Sequence, residues 1–166
     1  MSISTFTLLH VVLSLIGILS GLIVLVGMFD SRRMQGWTAL FLATTVLTSA
    51  TGFAFPSDRI LPSHIVGIVS LLVLAVAIAA LYVYRLKGSW RWVYVSSAVL
   101  ALYLNVFVGV VQAFLKVPTL SALAPTQSAP PFIIAQGVVL LIFVGLGVAA
   151  VKSFHPATQV SGWSWA

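Results

Sequence analysis

Apolar residues fill this chain in long blocks, and the polar residues between them come in short clusters. A helix needs about 20 mostly apolar residues to cross a hydrocarbon core. Five blocks qualify: Ile3 to Phe29, Trp37 to Phe55, Pro62 to Leu86, Trp90 to Leu115 and Pro131 to Val151. The second is the most polar, with Thr38, Thr44, Thr45, Thr48, Ser49 and Thr51. Hydroxyls are tolerated in lipid because they bond back to their own helix carbonyls, and they also join one span to another. The pattern predicts an all-α integral membrane bundle of five transmembrane helices in a single domain over residues 1–166. Two hairpins form a four-helix core, and a fifth helix packs alongside.

Composition supports lipid as the solvent. Of the 166 residues, 61% are hydrophobic and 6% charged. Soluble domains carry roughly 25% charged residues. The mean hydropathy is +1.18. The net charge of +6 reads as a loop-charge signal, because nucleic-acid binding needs a basic patch on a soluble face. With no cysteine in the chain, disulfides, thiolate metal sites and cysteine nucleophiles are excluded. The first block lacks a basic leader and is too long for a signal-peptide core, so it reads as a first span rather than a cleavable signal.

Charge sets the expected orientation. With the N-terminus outside, the inner segments hold Arg32, Arg33, Arg85, Lys87, Arg91 and Lys152, and the outer segments only Arg59 and Lys116. This is the positive-inside asymmetry. It predicts a multi-pass protein of a cell inner membrane with its C-terminus in the cytoplasm. All five tryptophans (Trp37, Trp90, Trp92, Trp163, Trp165) fall at the inner ends, where amphipathic rings anchor at headgroups. The outer segment from Lys116 to Pro131 is broken by Pro118, Pro125, Pro130 and Pro131. It is expected to lie along the outer interface, as a connector or a lid.

His10-Val-Val opens the first span and His64-Ile-Val the third, each followed by arginine 22 and 21 residues later (Arg32, Arg85). Trp37 and Trp90 open the second and fourth. The hairpins therefore read as a pseudo-repeat about an axis along the membrane normal. With this layout and these openings the chain resembles small uncharacterised polytopic proteins of bacterial inner membranes. That resemblance implies a membrane location and brings no named activity.

Candidate chemistry lies in the outer half. At about 1.5 Å of rise per residue, His10 and His64 lie ~32 Å above the inner arginines, Gln112 ~31 Å, Gln136 ~24 Å and Asn105 ~21 Å. Polar side chains are costly in lipid and should face the bundle interior. Faces are predicted accordingly: His10, Ser14, Gly17 and Gly21 on the first span, Asn105 with Gln112 on the fourth, and Gln136, Leu140, Phe143 and Gly147 on the fifth. Gly17 and Gly21 form a GxxxG, which permits close helix approach.

These placements predict a polar pocket, lined by His10, His64, Asn105, Gln112 and Gln136, for a small apolar ligand or a cofactor such as haem or quinone. Imidazole is a common metal and haem ligand, so His10 and His64 on facing spans could flank a metal. The competing expectation is that these residues only bond between helices. The chain is then a non-catalytic subunit or assembly factor of a larger membrane complex, or a homo-oligomer. A third expectation is a carrier for a neutral solute. The two acidic residues, Asp30 and Asp58, fall outside the spans. That excludes intramembrane carboxylate catalysis and carboxylate-coupled ion pumping.

Overall fold

The computed structural model describes residues 3–55 and 62–156. Asp58, Arg59, Trp163 and Trp165 lie outside the described residues. The described chain is helical without strands. In order come α1 (Ile3–Phe29), α2 (Gln35–Gly52), α3 (Pro62–Ile78), a π-helical turn (Ala79–Val83), α4 (Trp90–Lys116), α5 (Pro118–Leu123) and α6 (Pro130–Ser153). Four segments are long and apolar enough to cross a membrane: Thr5–Phe29, Ser63–Val83, Trp90–Lys116 and Pro130–Ser153. The 18-residue α2 is not among them. Its threonines lower its hydropathy, and it starts two residues before and stops three before the predicted block.

Local chemistry explains the boundaries. The residue before a proline is pushed out of the helical region. Val117, before Pro118, is accordingly extended (φ −88°, ψ 115°) and ends α4. Ala129, before Pro130, is extended too, and Pro130 and Pro131 open α6, where a missing N–H costs nothing. The expected interfacial segment therefore contains one short helix, α5, against the end of α4.

Helix α1 closes in a Schellman arrangement. The Arg32 N–H donates to the Gly27 carbonyl (2.8 Å) and the Ser31 N–H to the Met28 carbonyl (3.2 Å), with Ser31 left-handed at φ 55°. After α3 the chain widens to a π turn, in which the Tyr84 N–H donates to the Ala79 carbonyl at 3.0 Å. It then reverses through Arg85, Leu86 and Gly88, all at positive φ.

Consecutive long helices run antiparallel. Helix α1 packs on α2 and α4, and α3 packs on the same two, so α1 and α3 lie on a diagonal of a four-helix square. Helix α6 packs mainly on α4, with a lesser contact to α1. The core runs through Val24, Met28, Phe41, Leu74, Val95 and Leu102. Gly17 and Gly21 face inward, and a Cβ on Gly21 would lie 2.6 Å from Leu102 Cδ1 and 2.9 Å from Phe41. Outward-facing positions are just as apolar: Leu19, Val83 and Leu141 are 62%, 70% and 72% exposed. Continuous apolar surface on this scale suits lipid rather than water.

On α6 the inward stripe differs from the predicted one. Gln136 and Phe143 are buried as expected, but Leu140 is exposed, and Phe132 and Ala150 complete the stripe. The spacing of seven from 136 to 143 to 150 keeps one face on α4, whereas 140 turns outward.

Candidate functional site

The end carrying Arg32, Arg33, Arg85, Lys87, Arg91 and Lys152 is here named the basic end, and the other the far end. The five residues singled out in the sequence all lie toward the far end, and four of them are engaged separately. His10 Nδ1 hydrogen-bonds Thr51 Oγ1 across α1 and α2 (2.9 Å), and its ring packs edge-on against Phe55. The His64 ring stacks on Phe53 at 5.6 Å. Asn105 is buried and its Oδ1 accepts from the Ser14 hydroxyl (2.9 Å), tying α4 to α1. Gln136 Nε2 donates to the Phe107 carbonyl (3.1 Å), tying α6 to α4.

Gln112, expected on the inward face with Asn105, is exposed instead. It lies two turns nearer the helix end than Asn105. No hydrogen bond or ring contact joins His10 to Asn105, Gln112 or Gln136. None of the five lines either of two cavities found among the described residues.

Between Asn105 and the core lies a closely packed polar seam. A Cβ on Gly17 would fall 2.9 Å from Asn105 Nδ2 and 3.1 Å from Thr45 Oγ1. Thr44 bonds back to the Leu40 carbonyl (2.7 Å). The Thr45 and Thr48 hydroxyls are buried without a hydrogen-bond partner. Seven residues toward the basic end from Thr48, Phe41 is 1% exposed and plugs the seam against Gly21 and Leu102.

The larger cavity lies beyond that plug, at the basic end. Its volume is about 510 Å³, within the range of ligand pockets. The floor is apolar: Val24 and Met28 from α1, Leu81 from the π turn, and Phe154 just past α6. The rim is polar: Arg32 and Arg33 from the α1–α2 connection, Gln35 and Thr38 from α2, Tyr82 from the π turn and Tyr94 from α4. Val24, Met28, Thr38, Tyr94 and Phe154 are buried, whereas Arg32, Arg33, Gln35, Ala39 and Tyr82 are exposed. The cavity therefore runs from an exposed polar mouth, between the ends of α2 and α3, down to a buried floor. The Tyr94 hydroxyl lies beside Thr38, with Tyr82 and the Arg33 guanidinium within electrostatic reach.

Three features hold this end in shape. The π turn adds a residue to the last turn of α3 and sets Leu81 and Tyr82 on the wall; such turns are frequent at functional sites. Ser31 donates to the Ser153 carbonyl (2.6 Å) and accepts from the His155 N–H (3.1 Å), which ties the α1–α2 connection to the end of α6. Arg91 donates to the Val151 and Phe154 carbonyls. A cation at a helix C-terminus is favoured by the helix dipole. Together these bonds fix Phe154 as the floor, 6.0 Å centroid to centroid from Tyr94.

Sequence reasoning missed this cavity because it took the basic residues and tryptophans as topology signals only. A further signal was present: Tyr82, Tyr84 and Tyr94 all fall at the basic end. Comparison with protein-family models, with curated proteins and with solved structures finds no match.

Proposed function

We propose that this chain is a five-span membrane protein that binds a small amphipathic molecule in the cavity at its basic end. The observation that carries the reading is the cavity itself, with an apolar floor, a polar mouth and a volume of about 510 Å³. The polar residues of the far half then act as bonds between helices, the role for which His10–Thr51, Ser14–Asn105 and Gln136–Phe107 are arranged.

Support for a fifth span comes from the register of α2 on α1. His10 meets Thr51, Gly17 meets Thr45, Gly21 meets Phe41 and Gly27 meets Met34. Helix α2 thus lies along α1 over its whole length, about 27 Å at 1.5 Å per residue. Over that length α2 shares the depth that α1 crosses from His10 to Gly27, with its hydroxyls turned to neighbouring helices and to its own carbonyls. The basic end faces the cytoplasm of a bacterial-type inner membrane in this reading, by the positive-inside rule. The exposed Trp37 and Trp92 then sit at the headgroups.

Two experiments test it. Native mass spectrometry of the detergent-purified chain should find a small amphipathic adduct on the wild type and none on Ala39→Trp, which fills the mouth. A wild type free of adducts, or an unchanged adduct on the variant, overturns the reading. A periplasm-dependent phosphatase fused after Ala166 should be inactive; strong activity would reverse the orientation.

A further inference from the structure

We infer that the molecule held at the basic end carries an anionic phosphate head, and that its source is an acidic phospholipid of the adjoining leaflet. The inference rests on the cavity reading above and adds the sign and chemistry of the ligand.

Hydrogen-bond donors line the mouth. Arg32 and Arg33 are donors only; Gln35, Thr38, Tyr82 and Tyr94 can each donate. No carboxylate lines the cavity, and neither arginine makes an ion pair among the described residues. A cationic guest would be repelled, and a neutral one would leave two guanidinium groups facing it unused. Phosphate oxygens match this set, because arginine binds them bidentately and hydroxyls donate to those that remain. The Arg33 guanidinium is close enough to Tyr94 to interact with it. Both arginines are exposed at the mouth, where an entering headgroup would meet them.

Geometry selects the source. The mouth opens between the ends of α2 and α3, at the depth where Trp37 and Trp92 are exposed. That is headgroup depth for a bundle anchored by its aromatic residues. Exposed apolar residues lie deeper than the mouth on the same helices, Leu40 on α2 and Val76 on α3. Acyl chains can therefore stay in the bilayer while the head enters. Basic pockets between spans are a recognised way to hold anionic headgroups.

The test is lipid titration of the full chain in detergent, read by native mass spectrometry. The probes are phosphatidylglycerol, phosphatidylcholine and free glycerol 3-phosphate. Phosphatidylglycerol should bind roughly thirtyfold more tightly than phosphatidylcholine, the ratio two arginines near a headgroup supply. Arg32→Gln with Arg33→Gln should abolish the preference. Lys87→Gln with Lys152→Gln, which removes the same charge from the same end outside the cavity, should keep it.

Equal binding of the two lipids, or equal loss of preference in both double variants, overturns the anionic-head inference and leaves the cavity reading standing. Competition by glycerol 3-phosphate at lipid-like concentrations overturns the lipid source and retains the phosphate. Lipid binding that is indifferent to Ala39→Trp takes down the cavity reading instead.

Discussion

The two ends of this bundle handle polar side chains in opposite ways. In the far half, Ser14, Thr44, Asn105 and Gln136 are spent on carbonyls and on one another, and Gly17 brings the helices so close that a single Cβ would meet the Asn105 amide at 2.9 Å. At the basic end, Thr38, Tyr82, Tyr94, Arg32 and Arg33 surround about 510 Å³ of open volume. Phe41 separates the two regions. The difference shows that a polar residue inside an apolar bundle marks a binding site only where the backbone leaves room beside it. Small residues close the far half, whereas a π turn and a left-handed helix end hold the basic end open.

The comparison breaks first if the far half is loosely packed. Gly21→Leu should destabilise the chain most, by about 1–3 kcal/mol; thermal unfolding in detergent measures it, and an unchanged midpoint would mean that α1 and α4 are not in contact there. Arg91→Leu comes next. It removes charge-assisted bonds to the end of α6 and should cost roughly 1.5–3 kcal/mol, with faster proteolysis after Phe154 as a second readout.

Asn105→Ala should lose about 1–2 kcal/mol, since bonds between membrane helices are individually modest. The same midpoint shift is expected whether or not lipid is present, because Asn105 does not line the cavity. Thr45→Val sharpens the contrast by its sign. The Thr45 hydroxyl is buried without a partner, so removing it should raise stability by up to about 1 kcal/mol; a loss would reveal a bound polar guest in the seam. Smallest of all, Ala39→Trp should move stability by less than about 0.5 kcal/mol, as surface substitutions do, while eliminating binding at the mouth.

Much of the far half was legible in the residues. The inward faces of α1 (Ser14, Gly17, Gly21), the burial of Asn105 and Gln136, and the closeness at the glycine pair all follow from helical periodicity and from the cost of polar groups in lipid. Gln112 and Leu140 are both exposed where burial was expected, Leu140 because it turns off the face that Gln136 and Phe143 keep on α4. Spacing assigns a face, but only neighbouring helices decide where along that face cover ends.

What the sequence by itself determined is the class of structure: long apolar helices, their breaks at prolines and basic clusters, and the gathering of Arg, Lys, Trp and Tyr at one end. These depend on properties each segment carries alone, namely its hydropathy, its length and its proline restrictions. What only the tertiary structure decided is which polar groups are used up and which surround space. His10 found Thr51, 41 residues away, and Asn105 found Ser14, 91 residues away. Phe154 became a cavity floor because Arg91 and Ser31, from two other parts of the chain, hold the end of α6 beneath Tyr94. Such pairings are set by helix packing, a property of the whole bundle, and no local pattern in the chain encodes them.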